Sequence, residues 1–190
     1  MKIITISGSP KRNGKTAKAL DMLEGNLISQ GHEVERIQLS DYNIKGCIGC
    51  YACMANNDGP GCILKDDAIS IFERIISVDA IVYASPIYCY DFTSQFKTFI
   101  DRHFCLTINF GAPNHTSSIA GKNVALLITC MGSEEGNADL AMEIFDRSMI
   151  KVLKCNIVGK YTIPLSEAPD FDDRAGKTAE KIAGDMIGGC

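Results

Sequence analysis

Apolar runs and helical spacings alternate along the whole chain. Residues 2–7 (KIITIS) form a continuous apolar stretch that predicts a strand. Residues 15–30 follow with Ala17, Leu20, Leu23 and Leu27 on one face, the spacing of an amphipathic helix. Residues 32–39 (HEVERIQL) put a polar side chain at every second place, which predicts an edge strand. A helix carrying Ile69, Phe72, Ile75 and Ile76 is expected after the Asp66-Asp67 cap, and a buried strand over 80–84. Further on, a helix is expected over 93–104, a strand over 122–129, a helix over 135–153, a strand over 156–163 and a last helix over 172–187.

Five strands alternating with helices imply a parallel sheet covered on both faces, an α/β doubly wound architecture in one domain spanning 1–190. Open sheets of this kind bind ligands beyond the carboxyl ends of their strands, where the strand order reverses. The unusual sequence lies in the loops expected there: SGSPKRNGKT, a cysteine-rich stretch at 46–62, SPIYCYDF and CMGSEEGN. The third offers the flat side chains Tyr88, Tyr90 and Phe92, with Pro86 expected to stiffen the turn. The fourth carries Gly132 and Gly136, which let backbone approach closely.

The first loop ends like a nucleotide-binding P-loop, but its count is wrong. Such a loop needs Gly, four residues, then Gly-Lys-Ser/Thr. Here five residues separate Gly8 from Gly14, and Ser9 stands where the first glycine should. The best strand for a magnesium-holding aspartate, AIVYASP, has Asp79 in front of it and Ser85-Pro86 behind. What remains is strand, tight loop and helix start, which aims free N–H groups and a helix dipole at one point. Ser9, Asn13 and Thr16, with the cations Lys11, Arg12 and Lys15, make this an expected anion site.

The chain has 190 residues, enough for a substantial core, and its net charge of −4 argues against nucleic acid as a partner. With no long apolar run and a first strand opening at residue 2, a soluble cytoplasmic protein is expected. Nine cysteines in such a protein point to metal, redox chemistry or burial rather than to disulfides.

The segments GSPKRNGKT, SPIYCYDFTSQFKTFIDR and AGKNVALLITCMG resemble, in that order, the flavodoxin-like NAD(P)H-dependent FMN reductase family, with Phe96 where leucine is usual. The resemblance implies a flavodoxin-like five-stranded sheet binding FMN, with NAD(P)H as electron donor. It implies that Ser9, Arg12, Asn13, Gly14, Lys15 and Thr16 hold the flavin phosphate. Pro86, Ile87, Tyr88 and Cys89 would line the isoalloxazine ring, joined by Cys130, Met131 and Gly132. It also implies a homodimer or homotetramer, with the cysteine loop and the helix starting near Thr93 at the subunit contact.

The run Cys47-x2-Cys50-x2-Cys53, with Cys62 downstream, can turn all four thiols toward one centre, as iron–sulfur clusters require. Zinc sites more often come as two pairs with a longer gap. The run resembles the iron–sulfur flavoproteins of the same family, which implies a 4Fe-4S cluster on Cys47, Cys50, Cys53 and Cys62. The spacer before Cys62, which includes Asn56, Asn57, Gly59 and Pro60, is slightly longer than theirs. Reduced thiols, a labile disulfide and zinc remain the alternatives. Cys105 and Cys155 read as buried packing, Cys190 as terminal, and His32, His103 and His115 as surface or locally bonded. Two functions follow: a flavin oxidoreductase delivering electrons to a quinone, a nitro- or azo-aromatic or an iron–sulfur acceptor, and a non-enzymatic electron carrier between proteins. No side chain is required as a general acid or base for hydride transfer, so no catalytic residue is assigned.

Overall fold

The computed structural model describes residues 1–55 and 59–188. Asn56, Asn57 and Cys190 therefore lie outside the described residues. Five parallel strands form the centre: β1 (Lys2–Ser7), β2 (Glu33–Gln38), β3 (Ala80–Tyr88), β4 (Asn123–Thr129) and β5 (Asn156–Ile163). Their spatial order is β2-β1-β3-β4-β5. The helices are α1 (Lys15–Ser29), α2 (Ala68–Ser77), α3 (Ser94–Arg102), α4 (Asp139–Asp146) and α5 (Phe171–Gly188).

Alternating side chains leave the sheet on opposite faces, so the central strands must be apolar on both. Ile3, Val82 and Leu127 pack with Leu20, Leu23 and Phe171 under α1 and α5. Their neighbours Ile4, Tyr83 and Leu126 pack with Phe72, Phe99 and Phe145 under α2, α3 and α4. The edge strand β2 keeps the polar alternation of its sequence, with only Ile37 fully buried.

Three expectations change. The strand expected over 80–84 runs on to Tyr88, because Ser85 and Pro86 stay in register with Ile128 and Thr129. Pro86 therefore lies in a strand and not in the turn. The chain reverses after Tyr88 and pairs back as an antiparallel hairpin, Ile87 with Phe92 and Tyr88 with Asp91. The helix expected over 135–153 starts only at Asp139, since Gly136 takes a positive φ of 70° and Asn137 spends its side-chain amide on the Ser133 carbonyl. It then widens into a π-helix over Arg147–Val152. The helix expected over 93–104 ends at Arg102 and tightens into a 3₁₀ turn over His103–Leu106. A short ribbon, Thr107–Ile108 against Thr116–Ser117, stands apart from the main sheet.

β1 is flanked by β2 on one side and β3 on the other, so the loops after β1 and β3 diverge at the reversal of strand order. No described helix is long and apolar enough to cross a membrane.

Candidate active site

A cavity of about 410 Å³ opens at that reversal, within the size range of small-molecule sites. One end of it is made by the loop after β1. Ser9 organises this loop by bonding Lys11 twice, its hydroxyl donating to the Lys11 carbonyl at 3.3 Å and accepting the Lys11 N–H at 3.2 Å. Gly14 is the N-cap of α1 in extended backbone, and no side chain caps that end. The first turn holds no acidic residue, so its free N–H groups and the positive dipole end face the cavity unopposed. Thr16 is buried there, its Oγ1 2.7 Å from Thr129 Oγ1 at the end of β4. Lys15 runs its ammonium over the Phe171 ring, 4.6 Å from the centroid.

The other walls are Pro86–Cys89 from β3, Thr129–Met131 from β4, and Ser166 with Glu167 beyond β5. Cys89 and Tyr90 form the two-residue turn of the β3 hairpin, with positive φ of 49° and 65°. Such turns ordinarily use glycine or asparagine, so this tip is held in a costly conformation beside the cavity. Tyr88 and Met131 stay exposed at its rim. Phe92 is instead buried against Phe96, centroids 4.7 Å apart, and packs under the hairpin.

Ten of the residues expected to hold the flavin therefore meet at one cavity: Ser9, Gly14, Lys15, Thr16, Pro86, Ile87, Tyr88, Cys89, Cys130 and Met131. Three do not line it. The Arg12 guanidinium turns to Asp41 at 2.6 Å, and Asn13 is exposed. Gly132 is exposed outside the cavity, its carbonyl accepting from the Leu165 N–H and the Cys130 thiol, and a Cβ there would stand 3.2 Å from the Asn137 amide. Thr129, Ser166 and Glu167 were not legible. Only the convergence of strand ends brings them in, although a threonine closing an apolar strand beside a phosphate-like loop was an available signal.

The family model of the NADPH-dependent FMN reductases matches residues 1–170. This chain belongs to that family. Iron–sulfur flavoproteins are among the curated relatives that this FMN reductase homologue resembles. One from Methanocaldococcus jannaschii is 31% identical over 142 residues, covering 75% of this chain and 67% of that one. One from Archaeoglobus fulgidus is 38% identical over 102 residues, covering 54% of this chain and 45% of its own. The chain spans about half the length of the first relatives it matches. The flavodoxin-like fold is shared with an NAD(P)H:quinone oxidoreductase from Methanothermobacter marburgensis (TM-score 0.73, 16% identity, 98% of each chain). It is also shared with an FMN-dependent NADH-azoreductase from Bacillus anthracis (TM-score 0.69, 13% identity, 98% and 99% covered).

The FMN reductase fold carries here a second cavity, of about 440 Å³, lined by Cys47, Cys50, Cys53 and Cys62. All four are free thiols, Cys47 and Cys50 exposed and Cys53 and Cys62 half-buried. Burial pushes the Cys53 thiol pKa up, and the neighbouring Cys62, Cys50 and Cys47 add to it. Among the described residues no three such side chains stand in the geometry of a single-metal site. Four thiols on one cavity are the donor type and number that a four-iron cluster takes, one to each iron. Cys105, read from sequence as packing, also reaches this cavity from below; burial raises its pKa to about 12 and keeps it a thiol.

Arg102 completes the floor. Its guanidinium forks onto Asp66, NH1 to Oδ2 at 2.6 Å and NH2 to Oδ1 at 3.1 Å. Burial works against both charges, but this pairing outweighs it, holding the Asp66 carboxyl below its ordinary range and Arg102 above. His103, next in sequence, is buried and not at the surface. Its Nδ1 faces the Phe99 carbonyl at 2.8 Å and must carry the proton, so Nε2 accepts from the Tyr83 hydroxyl at 2.9 Å. Burial lowers its pKa to about 4, which keeps it neutral.

The two cavities are joined by α3. Thr93 caps its N-terminus and donates to the Gly8 carbonyl at the start of the loop after β1, while Arg102 at its last turn lines the cysteine cavity. Nine residues of helix separate them by about 13 Å along the axis.

Proposed function

We propose that this chain is an FMN-dependent NAD(P)H oxidoreductase. The observation carrying this reading is the 410 Å³ cavity itself, with uncapped helix amides at one end and a flat strand wall at the other. The α1 amides, the Thr16 hydroxyl and the Lys11 and Lys15 ammonium groups would hold the phosphate. Ser9, Arg12, Asn13 and Gly14 shape the loop around it. Pro86, Ile87, Tyr88 and Cys89 on one side, and Cys130 and Met131 on the other, would hold the ring, with Gly132 bracing Cys130 through its carbonyl. Backbone N–H groups of the loops at Tyr88 and Gly132 would be the donors for negative charge on the ring. FMN, when bound, supplies the hydride and electron chemistry, and the protein binds, orients and tunes it. The exposed Tyr88 and Met131 leave one side open, where a reduced nicotinamide and then a quinone or a nitro- or azo-aromatic can stack. A homodimer or homotetramer, closed over the cysteine loop, is part of the same reading.

The second cavity favours a companion role. Cys47, Cys50, Cys53 and Cys62 would hold a 4Fe-4S cluster, which exchanges single electrons when bound. A chain with both groups can then act as an electron carrier between proteins.

One preparation tests both readings. Protein purified without oxygen is assayed for flavin, iron and acid-labile sulfide, then for NADH and NADPH oxidation with a quinone acceptor. Bound flavin with nicotinamide turnover supports the oxidoreductase, and absence of flavin overturns it. Iron and sulfide that vanish in Cys50→Ala while flavin stays support the cluster. Clean flavin without iron overturns the cluster alone.

A further inference from the structure

The cysteine loop leaves the fold at Lys45 and rejoins it at Asp66, and a single ion pair closes its neck. Asp66 accepts the Lys45 N–H at 2.8 Å and the Ala68 N–H at 3.2 Å, while Arg102 NH1 donates to the Lys45 carbonyl at 2.8 Å. The two side chains are 1% and 0% exposed. This fork occupies the terminal nitrogens of Arg102 and leaves the third. Its Nε is buried and meets no acceptor in good hydrogen-bond geometry, although the Cys62 thiol is close enough to interact with the guanidinium. The same side chain lines the cysteine cavity, and Cys62 lies against its guanidinium.

Burying a donor without an acceptor costs on the order of 1–3 kcal/mol, more when the group is charged, so the orphan requires an explanation. The neck alone does not supply one, since the fork onto Asp66 and Lys45 already satisfies it. The neighbouring Cys62 sulfur does, once ligation turns it from a weak thiol acceptor into a charged one.

We propose that Arg102 is the positioning residue of the cysteine site, its free Nε–H reserved for the sulfur of Cys62 when that sulfur ligates an iron–sulfur cluster. This rests on the cluster reading above. Ligand sulfurs in such a cluster carry negative charge, and reduction adds more. A hydrogen bond to a ligand sulfur therefore favours the reduced form and raises the potential. Asp66 offsets the net charge of the guanidinium, so the directed bond accounts for most of the effect. Arg102 thereby ties the loop neck, through Lys45 and Asp66, to the electronic properties of the site. The competing acceptor is a water in the cavity, which would leave the potential indifferent to Arg102.

The test uses the anaerobically prepared holoprotein and three readouts: iron and sulfide per chain, the rate of iron loss to a chelator, and the cluster's midpoint potential followed by EPR. Removing Arg102 alone would strand a buried carboxylate, so the main variant is Arg102→Met with Asp66→Leu. FMN content reports whether it folds. The expected result is retained flavin, iron loss several-fold faster than in the parent, and a midpoint potential shifted down. If the double variant loses flavin, Arg102→Lys decides. Its ammonium is a point charge that cannot serve Asp66, Lys45 and a sulfur from one plane, so a downward shift is again expected. An unchanged potential in an iron-bearing variant overturns the role of Arg102 and leaves the cluster standing. A parent protein that holds no iron overturns the cluster reading and this role with it.

Discussion

Thr16 and Thr129 lie 113 positions apart in the chain and share a 2.7 Å hydrogen bond on the floor of the cavity. A hydroxyl has one proton to give. For Thr16 to donate to a phosphate, Thr129 must donate to Thr16, so the second threonine orients the first. Thr16→Val is expected to weaken FMN binding about tenfold or more, the worth of a hydrogen bond to a charged group. Thr129→Val is expected to weaken it less, and Thr129→Ser to leave it near the parent. Flavin fluorescence titration measures all three, and additive effects in the double variant would contradict the coupling.

Gly8 is fixed by contact and not by backbone conformation. A Cβ there would stand 2.6 Å from both Cβ and Cδ2 of Phe96. Gly8→Ala should destabilise the fold by about 2–3 kcal/mol, the scale of overpacking in a filled core. Adding Phe96→Ala should not restore it, because the clash with Cβ remains. Urea unfolding of the single and double variants decides this.

His103 makes stability depend on pH. Its folded pKa of about 4 lies below the unfolded value near 6.5, so the unfolded chain binds more protons between them. Stability is complete above the unfolded pKa and falls as pH drops toward 4. Between pH 7.5 and 5 the loss should be about 2 kcal/mol from this residue. His103→Gln should be less stable at pH 7.5 but lose less over that range, as urea midpoints at the two pH values would register.

The hairpin tip stores strain that glycine would release. Tyr90 has a φ of 65° and a largely exposed side chain. Tyr90→Gly should raise stability by about 1 kcal/mol, the cost of a non-glycine residue in left-handed backbone. A rise in the unfolding midpoint with unchanged urea slope is the expected signature.

Periodicity determined the layers. Short apolar runs such as KIITIS and NVALLIT read as strands buried on both faces, and α1 and α5 keep nearly the bounds their spacing predicts. Local chemistry was legible wherever one short segment holds it: the tight polar loop running from β1 into a helix start, and the spacing of the cysteines.

What failed to read from sequence depended on partners far along the chain. Pro86 looked like a turn residue because proline breaks strands, yet its pairing with Thr129 keeps it in one. The helix expected from Glu135 was cut short by Gly136 and by the Asn137 side chain, which bind the loop before the helix can start. Arg102 reads in sequence as the polar end of an amphipathic helix. Only the return of the chain at Asp66 gives it an ion pair, and only the cysteine loop gives its spare N–H a cavity to face. The sequence alone determined the order of strands and helices and which loops hold the unusual residues, because those depend on neighbours within a turn or two. The tertiary structure decided which loops share a site, because that depends on strand order, and strand order places Thr129 beside Thr16 and Asp66 beneath Arg102.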